Sequence, residues 1–140
     1  MPKDYRLSAT VEIKVPFHDV DMMGIVWHGH YVRYFEIARC ALLDKIDYNY
    51  EQMKASGYAW PVIDVRIRYP GSPVFGELIY VTAHLAEWEN RLKVDYEIRN
   101  SENKRITKGY TVQVAVDMAL NEMCMASPDV LLKKIGVTES

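Results

Sequence analysis

Cysteine is scarce in this chain: 140 residues hold two, Cys40 and Cys124. They form no C-x-x-C pair, which excludes a disulfide-rich scaffold and a thiolate metal knuckle, and both are expected as buried thiols in a reducing compartment. No apolar run approaches the ~20 residues that cross a bilayer, and the opening MPKDYRLSAT has no apolar signal core. A cytoplasmic protein without a membrane span is expected. Charge of one sign is also lacking. The formal net charge is -2 and the basic residues are scattered, so the basic stripe that nucleic-acid binding requires is missing. Linker-like Gly/Ser/Pro stretches, repeats and low-complexity segments are absent. With 49% hydrophobic residues, the chain reads as one domain over residues 1–140, large enough to bury a core.

What is present is a change of period along the chain. Val11, Ile13 and Val15 alternate with Thr10, Glu12 and Lys14, the period-two pattern of a half-buried strand. From Tyr31 the spacing becomes helical: Tyr31, Tyr34, Phe35, Ala38, Ala41 and Leu42 share one face, and the helix is expected to begin near His28 and end near Asp47. A short helix is predicted over Tyr50 to Ser56, stopped by Gly57. Ile63, Val65, Ile67 and Tyr69 then alternate with polar residues until Pro70 to Pro73 break the ladder. Leu78 to Trp88, Leu92 to Arg99 and Lys104 to Asp117 read as three further strands in a meander, with turns at Glu89-Asn90 and Asn100 to Asn103. Pro128 opens a last short helix that Gly136 closes. An apolar helix followed by antiparallel strands is an α+β pattern, in which one sheet must wrap the helix.

Residues 17–39, FHDVDMMGIVWHGHYVRYFEIAR, carry the chemistry. Asp19 and Asp21 precede a glycine turn at Gly24 and then the start of the long helix, whose exposed N–H groups carry roughly half a positive charge. A carboxylate beside such donors suits acyl transfer, in which an oxyanion develops. Asp19 taken alone reads as a helix cap or dipole partner. His18, His28 and His30 lack the spacing of a known metal site beside these carboxylates, so no metal is expected. His84 reads as an ordinary strand histidine, and Arg66 and Arg68 as a solvated sheet face.

The string Asp19-x-Asp21-x-x-Gly24-Ile25-Val26-Trp27-His28, followed by Tyr31 and by Phe35-Glu36-x-Ala38-Arg39, resembles the 4-hydroxybenzoyl-CoA thioesterase family of hotdog-fold proteins. Trp60-Pro61-Val62-Ile63, Pro73 to Glu77 and Glu87-Trp88 extend the resemblance over most of the chain. It implies an antiparallel sheet wrapped around one long central helix, and hydrolysis of a short-chain or aromatic acyl-CoA thioester to free acid and CoA. It places Asp21 against the thioester carbonyl, as nucleophile or as general base, and gives the oxyanion contact to the backbone N–H of His28.

The same resemblance makes Tyr31, at the first helical turn, the acyl-group contact. A bulky Trp60 would narrow the pocket, and Arg91 with Lys93 would meet the CoA phosphates. No cofactor is implied, since coenzyme A belongs to the substrate. Acyl-carrier-protein thioesters are a further substrate class. An edge strand left unpaired by a single sheet implies a homo-oligomer, dimer or tetramer. A binding module without turnover, or another hotdog enzyme such as a hydratase, is the alternative reading.

Overall fold

The computed structural model describes residues 5–19, 29–68, 71, 73 and 75–137. Strand β1 (Ser8–Lys14) leads to a single 3-10 turn (Phe17–Asp19), and helix α1 spans His30–Asp44. Helix α2 (Tyr50–Ala55) and the two-residue strand β2 (Tyr58–Ala59) follow. Strands β3 (Val62–Arg68), β4 (Leu78–Glu87), β5 (Leu92–Arg99) and β6 (Arg105–Gln113) complete the main sheet. The chain ends in β7 (Val116–Asp117), β8 (Glu122–Met123) and α3 (Asp129–Ile135). The five-stranded antiparallel sheet has the order β1-β4-β5-β6-β3, and a small sheet has the order β2-β7-β8. The expected meander is present as β4-β5-β6, with β1 and β3 as the two edges.

Alternation decides the faces. Leu92, Val94, Tyr96 and Ile98 of β5 are buried while Lys93, Asp95, Glu97 and Arg99 are partly exposed. Ile79, Val81, Ala83 and Leu85 of β4 continue the same inner layer. Against that layer α1 lays Tyr31, Tyr34, Phe35, Ala38, Leu42 and Leu43, all buried. The sheet therefore wraps one long helix, which is the hotdog arrangement. Phe35 stacks on Tyr96 with ring centroids 4.3 Å apart and planes 4° from parallel. Gly109 makes this contact possible, since a Cβ there would lie 2.9 Å from the Phe35 ring and 2.2 Å from the Arg66 carbonyl oxygen.

Three sequence expectations need correction. The strand expected over Lys104 to Asp117 is two elements: β6 stops at Gln113, and after Val114 and Ala115 the chain leaves the main sheet for β7, which pairs with β2 and β8. The buried apolar pair Val114-Ala115 hides this break, because its side chains match a strand while its backbone bonds go elsewhere, Val114 N–H to the Pro61 carbonyl and the Ala115 carbonyl to the Cys124 N–H. Helix α1 ends at Asp44 rather than Asp47, and the chain continues through three tighter turns in which Lys45, Ile46 and Asp47 donate to the carbonyls three residues back. Cys40 is exposed and Cys124 partly so, not buried, and both are free thiols. Cys40 sits two residues from both Ala38 and Leu42, about 200° around the helix from the core stripe.

Candidate active site at the start of the long helix

Helix α1 begins at Gly29, which has no side chain and so provides no side-chain cap, and its first turn holds no acidic residue. What holds this end is a tertiary contact. The buried Asp19 carboxylate accepts a hydrogen bond from the Tyr34 hydroxyl at 2.6 Å and pairs with the Arg33 guanidinium. His30 Nδ1 lies 3.7 Å from its other oxygen. Asp19, which the sequence suggests as a helix cap or dipole partner, thus reaches side chains near the start of the helix. Burial by itself pushes the Asp19 carboxyl up, but the Tyr34 and Arg33 hydrogen bonds and the nearby positive groups outweigh it and hold the pKa below the ordinary value. The Tyr34 phenol moves the other way, raised by burial and by its bond to Asp19.

In sequence, Asp19 stands just before residues 20–28 and its partners His30, Arg33 and Tyr34 just after. The ends of the motif are thus tied together by a charged, hydrogen-bonded cluster. Asp21 and His28, the expected catalytic carboxylate and oxyanion donor, lie outside the described residues. The sequence reading placed Tyr34 on the apolar face of the helix and Arg33 off it, and foresaw neither as a partner of Asp19. The available signal was Arg33 itself: a cation beside a helix N-terminus opposes the macrodipole, so it calls for a carboxylate partner nearby.

The remaining site candidates fall into three places. Tyr31 is buried at the first turn of α1, edge-on to Tyr34 with centroids 6.5 Å apart. Trp60 is buried beside α2: its indole N–H donates to the Tyr48 hydroxyl at 3.1 Å, and its carbonyl accepts from the Gln113 amide at 2.8 Å. Arg91 and Lys93 come together at the β4–β5 hairpin, where both approach Glu87, Arg91 through two hydrogen bonds of 3.0 and 3.3 Å and Lys93 at 3.8 Å. Trp88 and Arg91 line a hollow of about 220 Å³ there. The structure thus joins Arg91 to Lys93, and Tyr31 to the Asp19 cluster, while Trp60 belongs to the Tyr48 contact. Among the described residues, no group of three His, Cys, Asp or Glu side chains is arranged to hold a metal ion, and no helix is long and apolar enough to cross a membrane.

Comparison with known proteins places this geometry in a family. YneP of Bacillus subtilis (strain 168), provisionally named an acyl-CoA thioesterase, is 30% identical over 107 residues, covering 76% of this chain and 78% of its own. The acyl-CoA thioester hydrolase YbgC of Escherichia coli O157:H7 is 23% identical over 106 residues, covering 75% of this chain and 79% of its own. Among solved structures, the DHNA-CoA thioesterase of Staphylococcus aureus superposes with a TM-score of 0.77 at 26% identity, covering 84% of this chain and 80% of that one. The model of the thioesterase-like superfamily matches residues 15–135. With the wrapped helix and the motif at its start, this chain belongs to the thioesterase-like superfamily.

Proposed function

We propose that this protein hydrolyses an acyl-CoA thioester, water adding to the acyl carbon and the thiol of coenzyme A leaving, with Asp21 as the catalytic carboxylate. The observation that carries the reading is the start of α1, whose N-cap has no side chain and whose first turn is secured from Asp19. N–H groups at such a start suit a developing oxyanion, and one well-aimed donor is typically worth ~10²–10³ in rate. The proposed donor is the His28 backbone N–H. Asp21 either attacks the carbonyl, giving a mixed anhydride that water opens, or takes a proton from the attacking water.

Tyr31 is the proposed wall for the acyl group, and Trp60 limits its depth. Arg91 and Lys93 would exchange Glu87 for the phosphates of CoA. The names of YneP and YbgC support the reaction class, and the DHNA-CoA thioesterase supports including aromatic acyl groups among the substrates. A cytoplasmic setting, suited to two unpaired thiols, is part of the same proposal.

The proposal includes a homo-oligomer. Edge strand β3 carries exposed Val62, Ile63 and Val65, with Ile63 58% exposed, and among the described residues it pairs on one side only, with β6. An apolar edge of this kind is normally covered by a second strand, so a second copy across β3 is the proposed partner. Light scattering at micromolar concentration should give a dimer or tetramer, and a fully active monomer would refute this part. The reaction is tested by thiol release over a panel of straight-chain, branched and aromatic acyl-CoAs and a carrier-protein thioester. Turnover of at least one acyl-CoA is expected; tight binding of the panel without thiol release would identify a binding module instead.

A further inference from the structure

The sheet face turned away from α1 carries an uneven charge. Arg66, Arg68, Arg99, Arg105 and Lys108 line one concavity of about 630 Å³, together with only two carboxylates, Asp95 and Glu97. This is an excess of three positive charges in a chain whose net charge is -2. Both carboxylates already have partners. Asp95 accepts from the Tyr5 hydroxyl at 2.7 Å, and Glu97 meets Arg99 at 3.4 Å and His84 at 3.9 Å. Among the described residues, Arg66, Arg68, Arg105 and Lys108 form no ion pair, and all four are exposed.

Register makes the arrangement more specific. Arg68 stands directly opposite Lys108 across β3–β6, and Arg99 directly opposite Arg105 across β5–β6. Like charges directly opposite on one face destabilise a sheet, so two such pairs side by side are poorly explained as a solvated face alone. From this geometry we infer that the outer face of the sheet is a binding site for a polyphosphate, a ligand with two or more contiguous phosphate groups. The cations lie on three neighbouring strands about 4.8 Å apart. One phosphate cannot span them, whereas a chain of phosphates can. Guanidinium groups supply the forked donors that phosphate oxygens accept, and the volume lies in the range of small-ligand sites. The site is on the sheet face opposite α1, away from Tyr31 and the Asp19 cluster, and does not depend on the proposed hydrolysis.

Isothermal titration of the whole chain with inorganic tripolyphosphate, at constant ionic strength, tests the inference. Saturable binding is expected, weakened roughly tenfold or more in the Arg68→Gln/Lys108→Gln double variant. Lys14→Gln, a charge removed from edge strand β1, should leave the affinity unchanged. The double variant removes a like-charge pair, so its circular dichroism and thiol release should match the parent. Competition by ATP would assign the site to nucleoside polyphosphates, and tripolyphosphate binding that ATP cannot displace would assign it to inorganic polyphosphate. Absence of saturable binding, or equal affinity in the double variant and the parent, would overturn the inference.

Discussion

The two helices between β1 and β2 begin in opposite ways. The six-residue α2 opens with a complete capping box: the Asn49 side chain accepts from the backbone of the first turn, and the Gln52 side chain accepts from the Asn49 N–H at 3.0 Å. The 15-residue α1 opens at a glycine with no side-chain cap, and a cation, Arg33, stands close behind. Local sequence completes the short helix. Tertiary structure holds the long one, through Asp19 reaching across to Arg33 and Tyr34. A start held by side-chain contacts, whose N-cap glycine has no capping side chain of its own, is a position from which helix N–H groups can serve a ligand, whereas a capped start is already spent.

The most severe way to break this contrast is Asp19→Ala. It would leave the Tyr34 hydroxyl buried without its acceptor and Arg33 without its counter-charge. Because Arg33 keeps contact with water, the expected loss is roughly 2–4 kcal/mol, below that of a fully buried pair, read as a lower urea midpoint together with loss of thiol release. The same carboxylate sets an acid limb. Its pKa is lower folded than unfolded, so its stabilisation is fully present above the unfolded value of ~3.9 and disappears as pH falls from there through the folded value. Urea midpoints measured downward from neutral pH should fall less steeply in Asp19→Asn than in the parent.

At the other helix, Asn49→Ala should cost about 1 kcal/mol of stability and leave kcat unchanged, because that start carries no chemistry. Gly29→Asp sharpens the comparison further. A capping side chain should raise stability by only a few tenths of a kcal/mol, yet lower kcat if the α1 start serves the reaction; an unchanged kcat would separate the helix start from catalysis. The smallest effect is expected of His28→Ala. A backbone donor survives the change, so kcat should fall modestly, and a loss of ~10²-fold would instead make the imidazole a participant.

The parts of the fold legible in the sequence are those with a sustained period. The stripe Tyr31, Tyr34, Phe35, Ala38 and Leu42 placed α1 on the core, and Leu92 to Arg99 was readable as a strand with the bounds that β5 has. Strands β2, β7 and β8 have two residues each, too short for any period to register, and their pairing is decided by where the chain turns after Gln113. Gly57 was legible because it follows a short helix in the left-handed region, at φ +88°. Cys40 shows a composition rule losing to a period: cysteine is commonly buried, but its helical position points it outward. For the site, the motif was readable as a string of residue types. The Asp19–Arg33–Tyr34 contact was not, since it joins side chains 14 and 15 residues apart that only the packing of α1 against the sheet brings together.

The central claim, a carboxylate working beside the start of α1, is tested most directly by Asp21→Asn, which preserves shape and removes charge and basicity. Thiol release from the best acyl-CoA of the panel should fall by ~10²-fold or more in kcat, with circular dichroism and oligomeric state unchanged and acyl-CoA still bound. Turnover by Asp21→Asn near the parent kcat would contradict the account.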